Sequence, residues 1–255
     1  MASLLVAVIG STLQLTLARP QVRNAIDRAT ALAIAGALDR LDEDPSLRVA
    51  IITGAGGTFC SGMDLNDFLV QHGEILDHGG RGFAGITARP PAKPVIAAVE
   101  GYALAGGFEI ALACDLIVAG ASATFGIPEV QRGLVAAAGG LFRLPGVISR
   151  NVAMELALTG DPIGALRAYD LGLVNRVVEP GRALPAAHEL ACRIAENAPL
   201  SVLAAKAVIS QSVAWDPATA FLQQAKLIEP VIGSTDAIEG ARAFTEKRRP
   251  VWLGQ

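Results

Sequence analysis

The sequence from Val95 to Asp115 changes from a strand-like to a helix-like pattern at a pair of glycines. Val95 to Val99 is a short apolar run between Pro94 and Gly101, which favours a buried strand. A helix is expected to begin at Gly106-Gly107, because apolar residues then recur at helical spacing. Backbone N–H groups at a helix start lack intrahelical partners, and glycine lets a ligand approach them closely. The stretch therefore predicts a site for an anion or a developing oxyanion.

Glu109 lies in this otherwise apolar helix, one turn beyond the glycines. An unpaired carboxylate in apolar surroundings costs free energy, so the residue needs an explanation. One explanation is structural, because the helix dipole stabilises a partly exposed glutamate near a helix start. The adjacent Gly106-Gly107 turn instead favours a functional carboxylate beside exposed backbone amides.

A second glycine-rich turn follows the β-branched run from Leu47 to Thr53, which is typical of a buried strand. A dinucleotide-binding fingerprint is disfavoured here, because Phe59 stands at the third glycine position and no helix opens there. The turn continues to Gly62, which frees the backbone, and to Asp64, which can cap a short helix. This predicts a second turn that presents backbone amides.

A second candidate carboxylate, Glu129, follows Pro128 and lies twenty positions after Glu109. Proline and glutamate also form an ordinary first helical turn, so this pair alone is ambiguous. Two amide-presenting turns and two glutamates make a coherent site, because paired N–H groups stabilise a carbonyl oxygen that gains negative charge. Burial and mutual repulsion would separate the pKa values of the two glutamates into proton-donor and proton-acceptor roles. The combination favours thioester chemistry through an enolate.

The order of the patterns predicts an α/β core followed by a helical segment. Leu4 to Leu17 alternates as two strands about Gly10-Ser11, and Asp27 is suited to cap the helix that follows. Strand patterns end at Val178, and helical patterns dominate from Ala183 onward. We therefore divide the chain into an α/β core of residues 1–196 and a C-terminal helical segment of residues 197–255.

Composition narrows the possible functions. The 255 residues are 52% apolar and 18% charged, which is more apolar surface than a small monomer normally buries, so a homo-oligomer is expected. A net charge of −3 disfavours nucleic-acid binding. Acidic residues and glycines interrupt the longest apolar region, 95–121, which disfavours a membrane span.

The three cysteines, Cys60, Cys114 and Cys192, are widely spaced and form no metal-binding motif. We expect them to be small core residues in a reducing, cytoplasmic compartment, with no structural metal. The segment from Gln71 to Arg89 has weak periodicity. It is interpreted as a mobile loop or lid that carries His72 and His78 on its surface.

Five segments of the chain resemble the crotonase, or enoyl-CoA hydratase/isomerase, superfamily, and together they span nearly the whole sequence. They are ARPQVRNAID, ITGAGGTFCSGMDL, KPVIAAVEGYALAGGFEIALACD, ATFGIPEVQRGLV and AFTEKRRPVW. The resemblance implies an α/β fold in which repeated ββα units form a spiral. It also implies a C-terminal helical trimerisation segment, which builds a homotrimer or a hexamer of two trimers.

The resemblance assigns roles to residues of the site. The backbone N–H groups of Met63 and Gly106 match the oxyanion hole for the thioester carbonyl. Glu109 and Glu129 match the two glutamates that, in the hydratases, deprotonate water at Cβ and exchange a proton at Cα. Lys247 matches a basic residue that often reaches the CoA phosphates of a neighbouring subunit. The positions that hold CoA, mainly through backbone atoms, correspond to Val22, Arg23, Ala25, Ser61, Asp64, Leu65 and Asn66.

The resemblance implies an enoyl-CoA hydratase, a lyase that reversibly adds water in syn fashion to 2-enoyl-CoA thioesters. CoA is part of this acyl-CoA substrate, and no metal or other cofactor is expected. The alternatives are an enoyl-CoA δ-isomerase, a non-catalytic acyl-CoA-binding trimer and a carnitinyl-CoA dehydratase. The segments GGRGFAGIT and DAIEGARAFTEKRRPVW of this chain resemble carnitinyl-CoA dehydratases. A trimethylammonium acyl group would favour an aromatic cage, yet the chain has only two Trp and two Tyr.

The chain departs from the family pattern after the second glutamate. Hydratases commonly have Pro-Gly-Ala-Gly-Gly there, whereas this chain has three alanines, Ala136 to Ala138, before Gly139-Gly140. Alanine keeps its N–H group but restricts the backbone angles and adds a methyl group near the expected water site. An altered rate or acyl preference is expected from this change.

Overall fold

The computed structural model of the protein describes residues 2–70 and 80–255. Within these ranges the strands are, in chain order, β1 (Leu4–Ile9), β2 (Thr12–Leu17), β3 (Val49–Gly54), β4 (Val95–Val99), β5 (Tyr102–Leu104), β6 (Leu116–Gly120), β7 (Thr124–Gly126), β8 (Ile163–Gly164) and β9 (Arg176–Val178). The helices are α1 (Arg28–Glu43), α2 (Leu65–Val70), α3 (Gly106–Ala113), α4 (Gly140–Val147), α5 (Arg150–Thr159), α6 (Ala165–Asp170), α7 (Ala183–Ala195), α8 (Pro199–Ser212), α9 (Ala220–Ile232) and α10 (Thr235–Thr245).

The strands form two sheets that the chain visits in turn. The larger sheet has the order β1-β2-β3-β4-β6-β9 and is parallel except for the β1–β2 hairpin. The smaller sheet has the order β5-β7-β8. The segment β4-β5-α3 places one strand in each sheet before a helix, and β6-β7 repeats that step before α4 and α5. The expected spiral of ββα units is confirmed.

The central strands of the larger sheet are buried on both faces, as is usual for parallel sheets. Ile52, Ala97 and Val99 belong to the main core cluster on one face. Ile51 and Ile96 point to the other face. There they belong to a second cluster that includes four alanines of α7, Ala183, Ala186, Ala187 and Ala191. Small alanines let α7 approach the sheet closely, so this helix is part of the core.

The predicted hairpin and helix cap near the start of the chain are confirmed. The hairpin turns at Gly10, whose φ is 59°, and Asp27 caps α1 by accepting the backbone N–H of Thr30 at 2.8 Å. Strands β5, β7 and β8 were not predicted. They have only two or three residues each, and their pairing partners are distant in sequence.

The prediction that Gln71 to Arg89 forms a mobile loop is wrong for residues 80–89. Phe83, Ile86 and Thr87 are buried, and Arg81 is only 3% exposed. The Arg81 guanidinium donates a hydrogen bond to the Asp39 carboxylate at 2.6 Å. It also donates to the backbone oxygen of Arg89 at 2.7 Å. Residues 80–89 therefore pack against α1, whereas His72 and His78 lie outside the described residues.

The interpretation of the cysteines as core residues is confirmed for Cys60, which is buried, and wrong for Cys192, which is exposed. Cys114 is partly buried, and all three thiols are free. Burial raises the pKa of the Cys60 thiol to about 12, so this group is an inert apolar filler at neutral pH.

Helices α8 to α10 follow the core, as the helical pattern after Ala183 predicts. Neither α8 nor α9 has a buried residue. Lys206 of α8 is joined to Asp115 at 2.6 Å, and the Trp252 indole donates to the backbone oxygen of Glu196 at 2.8 Å. Polar contacts of this kind attach the segment to the core. Across residues 2–70 and 80–255, no helix combines the length and apolarity needed to cross a bilayer.

Gly107 provides a test of the packing between the start of α3 and the preceding turn. A Cβ atom at Gly107 would lie 2.2 Å from the Cys60 carbonyl oxygen, so we expect Gly107→Ala to lower the free energy of unfolding by about 2–3 kcal/mol or more. Gly36, in α1, has no atom within 4 Å of such a Cβ position. Gly36→Ala should therefore raise stability by about 0.5–1 kcal/mol. Urea unfolding of both variants measures these effects, and equal stability of the two would contradict the packing.

Candidate active site

The two predicted amide-presenting turns meet at the start of α3. A Cβ atom on Gly62 would lie 3.0 Å from the backbone nitrogen of Gly106, so the glycine permits this approach. Hydrogen bonds also connect the turn to β5, because Cys60 N–H donates to Tyr102 at 2.9 Å and Leu104 N–H donates to Cys60 at 3.0 Å. The turn is therefore held against the strand that leads directly into α3.

The backbone at Ala105 aims the first amide of α3 into the site. Ala105 has a φ of 52°, a left-handed value that is uncommon for alanine, and its N–H donates to Gly126 of β7 at 2.9 Å. Among residues 2–70 and 80–255, neither Met63 N–H nor Gly106 N–H has a hydrogen-bond acceptor. Two free donors at adjoining turns can stabilise an oxyanion between them.

Glu109 is buried one turn into α3, with 3% of its surface exposed. Its Oε1 atom accepts the backbone N–H groups of Ala138 and Gly140, each at 2.8 Å. Burial raises the pKa of Glu109, while these two N–H groups and the nearby Arg143 guanidinium oppose the increase. The functional interpretation of Glu109 is favoured over a surface glutamate, because its carboxylate is held in a fixed orientation inside the fold.

Glu129 lies in the 3-10 turn Pro128–Arg132 and faces the same cavity as Glu109. Its Oε2 atom is buried and has no hydrogen-bond partner in the described chain. Burial raises the pKa of Glu129 to about 7, and repulsion from Glu109 adds to the increase. The two carboxyl groups thus differ as expected, since backbone donors hold Glu109 and none holds the buried oxygen of Glu129.

The glutamates and the free amides line one cavity of about 850 Å³. This volume is within the range of small-molecule sites. The predicted site residues on its wall are Arg23, Ala25, Ser61, Met63, Asp64, Leu65, Gly106, Glu109 and Glu129. Val22, Asn66 and Lys247 are exposed and do not line the cavity. The fold thus brings together nine of the twelve residues.

The structure shows how the loops on the cavity wall are fixed, which the sequence did not indicate. Arg19 pairs with Asp64 at 2.8 Å and donates to the backbone oxygen of Ala25 at 2.6 Å. The buried Asn24 amide donates to the backbone oxygens of Ala55 and Thr58 at 2.9 and 2.6 Å. These long-range contacts join the 19–25 loop to the 55–64 turn. No local pattern reveals such pairs.

The altered alanine run lies against Glu109. Ala137 and Ala138 line the cavity, and the Ala138 N–H is the one that Glu109 accepts, so alanine retains the donor as expected. Arg143 of α4 donates to the backbone oxygens of Ala138 and Thr87. Arg143 therefore connects the loop that orients Glu109 to the packed segment after residue 80, a role that sequence reasoning missed.

The donor set of the site shows no metal-binding arrangement. In the described ranges, no group of three or more His, Cys, Asp or Glu side chains is placed to hold a metal ion. Glu109 is instead held by backbone amides and Asp64 by Arg19, while the buried oxygen of Glu129 has no partner in the described chain.

Comparison with known proteins identifies the family of this site. The family model described as "Enoyl-CoA hydratase/isomerase" matches residues 9–255. The chain belongs to this family. The match covers the free amides, both glutamates and the C-terminal helices, so the crotonase-superfamily assignment drawn from the sequence is confirmed.

Relatives within the enoyl-CoA hydratase/isomerase family include hydratases and dehydratases. The carnitinyl-CoA dehydratase of Shigella flexneri is 42% identical over 252 residues, covering 96% of each chain. The mevalonyl-coenzyme A hydratase of Aspergillus fumigatus is 42% identical over 246 residues, covering 94% of this chain and 90% of the relative. The chain is thus an enzyme of the lyase type.

Solved structures agree with this assignment. An enoyl-CoA hydratase from Mycobacterium marinum is 54% identical, with a TM-score of 0.97 and 100% coverage of both chains. A carnitinyl-CoA hydratase from Mycobacterium avium is 42% identical, with a TM-score of 0.78 and 100% coverage of both chains. The crotonase fold of this member of the family is therefore shown.

The raised pKa of Glu129 predicts a pH dependence of stability. Between about pH 4.5 and about pH 7, the Glu129 carboxyl group holds a proton in the folded protein. In the unfolded chain, where its pKa is near 4.5, the group has released that proton. This stabilisation is fully present below about pH 4.5 and is lost as the pH rises through about 7. Glu129→Gln removes it, so the variant should lose less unfolding free energy than the wild type between about pH 5 and about pH 8. The difference should be roughly 1–3 kcal/mol, since one pKa unit is about 1.4 kcal/mol.

Denaturant unfolding across this pH range measures the effect. Glu155→Gln serves as the matched control, because Glu155 is an exposed glutamate that pairs with Arg167 on the surface. The control should follow the wild-type pH profile. Superimposable profiles for the wild type and Glu129→Gln would contradict the assigned burial of the Glu129 carboxyl.

Proposed function

We propose that this protein is an enoyl-CoA hydratase that reversibly adds water in syn fashion to 2-enoyl-CoA thioesters. One observation carries the proposal. The carboxyl groups of Glu109 and Glu129 face a cavity in which the N–H groups of Met63 and Gly106 have no acceptor among the described residues. A thioester carbonyl at those donors would place its conjugated double bond toward the glutamates.

The chemistry that fits this arrangement proceeds through an enolate. Glu109, whose carboxylate accepts two backbone N–H groups, orients a water molecule and takes its proton. The water oxygen bonds to Cβ, and the electron pair of the double bond moves toward the thioester carbonyl. The resulting oxyanion is stabilised by Met63 and Gly106 N–H.

Glu129 completes the addition. A carboxyl group with a pKa of about 7 is partly protonated at neutral pH, so Glu129 can give its proton to Cα as the enolate collapses. The proton taken by Glu109 then re-equilibrates with solvent or with Glu129. The reverse sequence removes water from a 3-hydroxyacyl-CoA. No metal or redox group is needed to balance these steps.

Recognition of CoA is proposed for the loops on the other side of the cavity. Arg23, Ala25, Ser61, Asp64 and Leu65 line it there. Val22 and Asn66 flank these residues in the chain. Lys247 does not line the cavity of its own chain, in agreement with a role toward the CoA phosphates of a neighbouring subunit.

A carnitinyl-CoA dehydratase is the second candidate, because the Shigella flexneri relative of that name is 42% identical. Of the described residues on the cavity wall, the aromatic ones are Phe68 and Phe83. Two phenylalanines form a poor cage for a trimethylammonium group. This favours the enoyl-CoA hydratase, and product analysis with crotonobetainyl-CoA separates the two.

The roles of the two glutamates can be tested with crotonyl-CoA as substrate. Glu109→Gln and Glu129→Gln should each lower kcat by about 100-fold to 10,000-fold, because each change removes a group that transfers a proton in the transition state. Chromatographic quantification of the 3-hydroxyacyl-CoA product measures kcat. Glu155→Gln is the matched control and should retain wild-type activity. Full activity in either glutamine variant would refute the assigned chemistry.

We also propose that the C-terminal helices build a homotrimer or a hexamer of two trimers. Several of their large apolar side chains are exposed in the single chain, including Val213, Phe221, Leu222 and Phe244, each at least 67% exposed. Light scattering should give a mass three or six times the 26.3 kDa of one chain. Replacing Phe221 and Leu222 by serine should lower that mass, and a monomeric wild type would contradict the proposal.

A further inference from the structure

The cavity has two walls of different origin. One wall comes from the loops around Arg23 and Ser61, which are proposed to hold CoA. The other comes from the segment Pro128 to Val135, which contains Glu129. In the proposed reaction Glu129 acts at the double bond, and the rest of the acyl group continues beyond Cβ. Side chains next to Glu129 on this segment therefore face the acyl group.

Arg132 is the charged residue that follows Glu129 on this segment. Both lie in the 3-10 turn Pro128–Arg132, in which side chains three positions apart are on the same side of the turn. Both line the cavity. Gly133, with a φ of 69°, ends the turn, and Leu134 N–H returns to the Glu129 carbonyl at 3.0 Å. The turn thus places Arg132 and Glu129 on the same segment of the cavity wall.

Among the charged groups of the cavity wall, Asp64, Arg23 and Glu109 have partners, whereas Arg132, which is exposed, has none in the described ranges. Asp64 pairs with Arg19 at 2.8 Å, and Arg23 lies over the Tyr102 ring at 5.6 Å. Over residues 2–70 and 80–255, Arg132 makes no ion pair within 4.0 Å and no side-chain hydrogen bond. The remaining neighbours on this wall, Leu134 and Val135, are apolar. A guanidinium in this position offers a forked pair of donors that match a carboxylate.

We infer that Arg132 selects 2-enoyl-CoA substrates whose acyl group carries a carboxylate beyond the double bond. This inference rests on the proposed hydratase function and names the substrate class of that site. The same positive charge disfavours an acyl group with a trimethylammonium, which would need aromatic faces and no nearby cation. Arg132 thereby determines specificity without taking part in proton transfer.

Three acyl groups with a shared skeleton test the inference. Glutaconyl-CoA, 5-methylhex-2-enoyl-CoA and crotonobetainyl-CoA carry a carboxylate, an isopropyl group and a trimethylammonium group, respectively, one methylene beyond the double bond. The wild type should hydrate glutaconyl-CoA with a kcat/KM about 10-fold to 100-fold above that for 5-methylhex-2-enoyl-CoA. Crotonobetainyl-CoA should be the poorest substrate.

Variants assign the preference to one side chain. Arg132→Met should lower the glutaconyl-to-isopropyl ratio of kcat/KM by about 10-fold to 100-fold, and Arg132→Lys should restore part of it because it keeps the charge. Arg193→Met is the matched control, since Arg193 is an exposed arginine on α7 without an ion pair among the described residues. The control should keep the wild-type ratio. Calorimetric affinity for the unreactive glutaryl-CoA, compared with butyryl-CoA, gives a readout that does not depend on turnover.

The outcomes separate the inference from the function on which it rests. An unchanged ratio in Arg132→Met, or a wild-type preference for the isopropyl or trimethylammonium group, overturns the role of Arg132 while hydration of crotonyl-CoA still supports the hydratase. Equal weakening of every thioester in Arg132→Met also overturns it, since the arginine would then contact CoA. Failure of the wild type to hydrate any of these thioesters refutes the proposed function, and the inference falls with it.

Discussion

The close approach of the turn at residues 60–62 to the start of α3 is the contact on which the site depends. Two backbone segments meet there with almost no side-chain volume between them, because Gly62 and Gly107 occupy the contact. The left-handed angles of Ala105 redirect the chain from β5 into the helix. Hydrogen bonding to β5 and β7 over-determines this backbone, and so the strained residue is tolerated. The free amides follow from that geometry.

The carboxyl groups of Glu109 and Glu129 reach the cavity from two different elements. Glu109 projects from α3 and is held by the amides of Ala138 and Gly140 at the start of α4, while Glu129 projects from the turn after β7. Both strands that lead to these elements, β5 and β7, are neighbours in the smaller sheet. A short sheet of three strands therefore sets the spacing of the reacting groups, and the larger sheet with α7 supports it.

Local patterns predicted much of this architecture, and long-range contacts account for what they missed. The glycine turn before α3, the cap at Asp27 and the apolar strand β4 are each encoded in a few adjacent residues, and the structure agrees with them. Strands of two or three residues, such as β8, carry too short a pattern to be recognised. Arg81 belonged to a segment of weak periodicity, yet its ion pair with Asp39 buries it, and no local signal reports a partner 42 positions away.

The same contrast between local patterns and long-range contacts applies to the site. Glu109 and Glu129 stood out because charge in apolar or turn sequence is conspicuous, and the family resemblance supplied the backbone donors. Arg19 and Arg143 did not stand out, because an arginine in a loop or in a helix looks like an ordinary surface residue until its acceptors are known. The residues that hold the site in shape were thus harder to find from the sequence than the residues that face the cavity.

The attachment of α8 and α9 has a consequence for the dynamics of the chain. Helices without a fully buried side chain gain less from the core than buried elements do, so we expect their backbone hydrogen bonds to open with only part of the global unfolding free energy. Amide hydrogens in these helices should exchange with solvent much faster than those of β3 and β4 whenever the chain is alone. Their exchange rate thus reports on whether the exposed apolar faces are covered.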